Sequence, residues 1–117
     1  MVYMDAQRKK ELKEQYREAQ PQMGVLCFTC KATGEKFLLA SRNIQTDITS
    51  VSFKLNSGYH PNRHLLELWK EHGEESFETS VVEELEYRDG VDDYMEELRA
   101  LRDLCLERDE HAVLLWK

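Results

Sequence analysis

Two pairs of residues have the types that hold a metal: Cys27-x-x-Cys30 and His60-x-x-x-His64. Thiolate and imidazole pairs are the usual ligands of a closed zinc site, which needs four donors converging tetrahedrally. The spacing argues against convergence. Cys27 and Cys30 lie in an apolar run that reads as a strand, and an odd offset of three puts them on opposite faces. His60 precedes Pro61, which places it outside a helix that contains His64. The two pairs are also further apart than finger spacing allows. Buried strand cysteines and surface histidines are therefore expected, with no metal site. A redox role for the Cys pair fails too, because such a thiol needs a helix N-terminus to lower its pKa.

Carboxylates form a second set: Glu74 and Glu75, then Glu83, Glu84 and Glu86, then Asp92 and Asp93. They could ligate a hard cation, but they read as solvated faces and first helical turns. Asp89, Asp92 and Asp93 stand where negative charge favours a helix N-terminus. A third set is cationic: Lys31, Lys36, Arg42, Lys54 and Arg63 could meet a phosphate backbone. The chain nevertheless carries 23 acidic against 16 basic side chains, a net charge of −7. Few phosphate contacts mean weak, salt-sensitive binding, so nucleic-acid affinity is expected at or below the weak end of the about 10⁻⁴ to 10⁻⁶ M non-specific range. The three cysteines, an odd and small number, suit a reduced protein rather than a disulfide framework. No run approaches the roughly 20 apolar residues of a membrane helix. The opening residues are too polar for a secretory signal, so no membrane partner and a cytoplasmic location are expected.

The elements that must position these groups follow from periodicity. Residues 5–19 read as a polar helix that Pro21 ends, so residues 1–21 form an N-terminal addition to one domain over 22–117. Val25–Lys31 and Lys36–Ser41 read as a hairpin, with Gly34 in its turn. Asn43 caps a helix whose Ile44, Ile48, Val51 and Leu55 share a face, and Gly58 stops it. A second helix starts near Pro61, buries Leu65, Leu68 and Trp69, and ends at Gly73. Ser76–Tyr87 alternates as a half-buried strand, with Phe77, Thr79 and Val81 on one side. Val91–Arg108 reads as a long helix burying Tyr94, Leu98, Leu101 and Cys105. The tail His111–Lys117 reads as a strand or a contact segment. Trp69 reads as core, while the role of Trp116 stays open. The class is α+β.

Element order and local wording resemble the GIY-YIG endonuclease superfamily, from about Met23 to about Arg108. Family members open with a Gly-Ile-Tyr strand, and a Tyr-Ile-Gly strand follows. Here Gly24-Val25-Leu26 and Phe37-Leu38-Leu39 fill these slots. "SRNI", "FKLNSGYHPNRHLLELW" and "EHGEESFE" look like the small bacterial members that carry a polar N-terminal helix. The resemblance implies a small three-stranded antiparallel sheet flanked by helices.

It also implies phosphodiester cleavage by hairpin tyrosines, a helix arginine that steadies phosphate, and a glutamate that holds one divalent metal. Carried over by position, the tyrosines fall at Leu26 and Phe37, and the second glycine at Leu39. The arginine falls at about Ser50. The glutamate falls at about Arg102, with Asp103 and Glu107 leaving that register open by a residue or a turn. Leu has no oxygen to coordinate, Phe no hydroxyl, and Arg102 puts a cation where a cation should bind. The expectation is a catalytically inactive domain without cofactor. It would act as a binding or scaffold module; either the helices collapse on an apolar cleft formed by Leu26, Phe37, Leu39 and Val51, or that cleft holds a protein partner or a second copy. The alternatives are a nuclease with displaced residues, which would need a divalent metal, and a nucleic-acid-binding domain that does not cut.

Overall fold

In the computed structural model, residues 20–116 are described, so the expected helix over 5–19 lies outside the described residues. Strands β1 (Met23–Cys30) and β2 (Lys36–Ser41) form the hairpin. Its turn closes where Gly34, at φ 82°, donates its N–H to the Cys30 carbonyl. Helix α1 (Ile44–Ser57) starts at Asn43, whose side chain accepts from the Thr46 N–H. It ends at Gly58 in the left-handed region, as a C-terminal glycine should. Helix α2 (Arg63–His72) is capped by Asn62, one residue after the proline that signals its start. A single 3-10 turn leads into β3 (Phe77–Leu85). Helix α3 (Met95–Arg108) and the short strand β4 (Ala112–Leu114) complete the chain.

The sheet has four strands in the order β3-β1-β2-β4. This corrects the three-stranded antiparallel expectation. The tail supplies a fourth strand, parallel to β2, with Phe37 opposite Val113. α3 also begins at Met95 rather than Val91. Asp92 and Asp93 therefore precede the helix, and Asp93 Oδ1 accepts from the Met95 N–H.

β3 is an edge strand and mostly exposed, not half-buried. Val25 pairs with Glu83 and Leu26 with Val81, so Val82 is an extra residue bulged out of the ladder. A bulge twists and blunts an open edge. It also explains Gly24: a Cβ there would lie 2.0 Å from the Glu83 carbonyl oxygen.

Period two along the hairpin sorts its side chains into two layers. On one face Leu26, Phe28, Cys30 and Phe37 pack with Ile44, Val51 and Leu55 of α1, Leu65, Leu68 and Trp69 of α2, and Leu115. On the other, Val25, Cys27 and Leu38 meet Cys105, while Met23 and Ala40 meet Tyr94 and Leu98. The sheet thus lies between α1 and α2 on one side and α3 on the other.

Candidate functional site

The hairpin face is where the resemblance places the chemistry, and it is closed. Leu26 is 0% exposed and Phe37 1%. Leu26 pairs with Leu39 and Phe28 with Phe37 across the ladder, so these side chains stand together. Leu39 is partly buried against the same cluster, which also contains Val51. The expected grouping of Leu26, Phe37, Leu39 and Val51 therefore forms. An open apolar cleft does not, because α1, α2 and the tail fill it. Leu115 donates its N–H to the Leu38 carbonyl at 2.8 Å, and Asn62 Nδ2 reaches the Leu115 carbonyl at 3.0 Å. Of the two outcomes expected for that cleft, helices collapsed onto it or an open apolar surface, the first is observed for Leu26, Phe37 and Val51.

The other two positions do not join this face. Ser50 is half-buried on α1, one residue before buried Val51 and so turned about 100° away from it. It borders a shallow groove of about 410 Å³ with Gln45, Thr46, Thr49 and Phe53, which has no cation. Arg102 lies on α3, the helix that covers the opposite side of the sheet. Both its Nε and its terminal nitrogen donate to Asp103 Oδ1, at 3.2 and 3.1 Å. That pair neutralises the charge locally and leaves nothing aimed at Leu26 or Phe37.

Cys27 and Cys30 are buried on opposite faces of β1, as the odd offset requires. No group of three or more His, Cys, Asp or Glu converges among the described residues. Trp69 is core, with Nε1 donating to Asn56 Oδ1 at 2.9 Å, whereas Trp116 is half-exposed. The histidines separate. His64 is on the surface, 2.6 Å from Glu35, and ties α2 to the hairpin turn. That hydrogen bond lowers the Glu35 carboxyl below its ordinary pKa. His60 is 5% exposed, so its expected surface position is also corrected. Its Nδ1 accepts the Asn62 N–H at 3.0 Å, which leaves the proton of the neutral ring on Nε2. Burial pushes its pKa down and the nearby Lys54 charge adds to this, so the ring is held neutral.

His60 belongs to the corner between α1 and α2, where an imidazole, a phenol, cations and a carboxylate meet. A groove of about 530 Å³ is bordered there by Tyr59, His60, Arg63, Leu66, Glu67 and Lys70. The corner is built by the helix end. The Tyr59 N–H donates to the Lys54 carbonyl and the Gly58 N–H to the Leu55 carbonyl. This is the doubled C-terminal cap in which the residue beyond the glycine meets an apolar side chain of the last turn. That contact is Phe53 against Tyr59, edge-to-face with centroids 6.3 Å apart.

The five cations expected to face nucleic acid do not share a surface. Lys36 is bound to Asp109 at 2.7 Å beside α3, and that hydrogen bond raises the Lys36 pKa and lowers that of Asp109. Arg42 lies beside Met23 and Tyr87 at the other end of the hairpin. Only Lys54 and Arg63 reach the corner. Sequence reading missed Lys70, Phe53 and Tyr59 there. The signal was present, since Arg63 and Lys70 are seven apart on one helix face, but the cap that folds Tyr59 onto Phe53 is a tertiary event.

No protein-family profile matches the chain, and no curated protein matches it in sequence. Solved structures do. The catalytic domain of the homing endonuclease I-TevI superposes with a TM-score of 0.65 at 13% identity, covering 81% of this chain and 99% of that domain. A mutant form of the catalytic domain of the intron endonuclease I-TevI gives a TM-score of 0.62 at 15% identity, covering 74% of this chain and 82% of the other. The hairpin, the helices on its two faces and the extent of this superposition establish that the chain has a GIY-YIG-like fold.

Proposed function

We propose that this GIY-YIG-like domain does not cut nucleic acid and works as a binding or scaffold module. What supports this most is the burial of Leu26 and Phe37, 0% and 1% exposed beneath α1, α2 and Leu115. A phosphodiester cannot reach Leu26 or Phe37 without unfolding their cover, and neither side chain carries an oxygen or nitrogen to meet it. Catalytic roles belong to site residues and not to the fold that carries them. No cofactor forms part of the proposal. A reducing, cytoplasmic setting fits the three free, buried thiols.

A nuclease with displaced chemistry is the competing reading. What favours it is the corner, where the neutral imidazole of His60, the Tyr59 hydroxyl and Arg63 border one groove. One experiment decides between the two. Pure protein is incubated with duplex, branched and single-stranded DNA and with RNA, in magnesium and in manganese. The expected result is intact substrate throughout. Metal-dependent cutting that follows the protein through purification overturns the proposal.

A further inference from the structure

Phe53 and Tyr59 are 62% and 57% exposed, side by side. Their mutual contact is explained by the end of α1, but that contact needs only two apolar side chains and leaves most of both rings in water. Single exposed apolar residues are ordinary. Two adjacent aromatic rings beside unpaired cations are a different combination. The ring planes meet at 81°, so the ring that offers its edge has neither face covered by its neighbour.

The charge around the pair opposes that of the whole protein. Lys54 follows Phe53 in α1, and Arg63 and Lys70 border the adjoining groove with Glu67 as its one acid. Among the described residues, none of these three cations makes an ion pair, as is also true of Lys31, Arg42 and Arg99, but only these three gather beside two exposed rings, whereas Lys36, Arg88, Arg102 and Arg108 are all paired. A locally positive surface on a chain of net charge −7 favours the approach of a polyanion at that place.

We propose that Phe53 and Tyr59, with Lys54, Arg63 and Lys70, form a surface that binds single-stranded nucleic acid, its bases stacking on the rings and its phosphates meeting the cations. Stacking on aromatic rings accepts any base and gives little sequence preference. A duplex keeps its bases in their own stack and has only phosphates to offer. This surface names the ligand of the binding-module reading and rests on that reading. It lies at the corner where α1 ends and α2 begins and uses none of Leu26, Phe37 or Leu39.

The test is fluorescence anisotropy of the full chain with a labelled single strand and a duplex of equal length, at low and at physiological salt, with the same mixtures run on a denaturing gel. The single strand is expected to bind more tightly than the duplex. Its logarithmic salt slope should be about −2 for three phosphate contacts. Phe53→Leu keeps an apolar partner for Tyr59 but removes the ring, and should weaken binding by about fivefold or more with the melting temperature unchanged. Arg63→Gln with Lys70→Gln should flatten the salt slope. Equal affinity for duplex and single strand, no effect of Phe53→Leu, or no binding at about 10⁻⁴ M at low salt overturns the inference. Intact strands with unchanged Phe53→Leu binding defeat this surface alone. Cut strands with weakened Phe53→Leu binding defeat the non-cleaving reading and leave this surface standing.

Discussion

Replacing Phe37 by alanine separates a filled face from an open one. The ring is 1% exposed, stands opposite Phe28 across the hairpin, and lies 6.1 Å from the His64 ring, centroid to centroid. Removing it forfeits the transfer free energy of a buried aromatic side chain, about 3 kcal/mol. The cavity left under α1 and α2 brings the loss to about 3–5 kcal/mol, because strands paired on both sides cannot collapse into it. With a urea dependence of about 1.5 kcal/mol per molar for a domain of this size, the unfolding midpoint should fall by about 2 M or more. The slope should stay unchanged, and so should the mass by light scattering, since the ring is buried within its own chain. Phe37→Leu, which keeps most of the volume, should lose about 1 kcal/mol and serves as the graded version if the alanine variant unfolds. An unchanged midpoint with a lowered mass would refute the reasoning and make this face a contact between copies.

Two other outcomes follow from the same geometry. Gly24→Ala should destabilise the domain by at least about 1–3 kcal/mol, because its Cβ would meet the Glu83 carbonyl oxygen at 2.0 Å; thermal unfolding checks this, and a neutral result would mean that the Val82 bulge is wrongly placed. The lowered pKa of His60 makes stability pH-dependent in a defined direction. The unfolded chain takes up the proton first, so the contribution is complete above the unfolded pKa of about 6.5 and is lost as pH falls from there toward the lower folded value. The pH dependence of the urea midpoint should flatten in His60→Gln, and an equal dependence in both proteins would count against a buried neutral ring.

Periodicity made the framework legible. The 3.6-residue stripe of Ile44, Val51 and Leu55 needs no tertiary knowledge, nor do the caps at Asn43 and Gly58, and all stand as expected. Alternation along the hairpin likewise separated Cys27 from Cys30 correctly. What stayed hidden depends on distant partners. "HAVLLWK" is too short to distinguish a strand from a contact, and only its pairing with β2 decides it. Ser76–Tyr87 alternates like a half-buried strand, yet the bulge at Val82 breaks that alternation and the edge position leaves it exposed. His60 next to a proline looks like a surface residue until α1 and α2 close around it.

The site was legible in part for the same reason. Leu26, Phe37 and Leu39 sit on rigid paired strands, where position in sequence fixes position in space, and they come together. Arg102 sits on α3, whose placement depends on which stripe it buries. Leu98 and Cys105 are buried and Leu101 partly so against the face opposite Leu26, which sends α3 to that side. The two faces differ in what their burial allows. A tyrosine at 26 or 37 under this cover would need a hydrogen-bond partner for its hydroxyl, and leaving one unmade costs about 1–3 kcal/mol. Leucine and phenylalanine remove that requirement and let α1, α2 and Leu115 close completely. A domain this small buries a limited fraction of its surface, so a filled face adds stability that an open polar cleft would forgo. Closing the hairpin in this way moves the accessible chemistry outward, to the helix corner where Tyr59, Arg63 and Lys70 remain in reach of solvent.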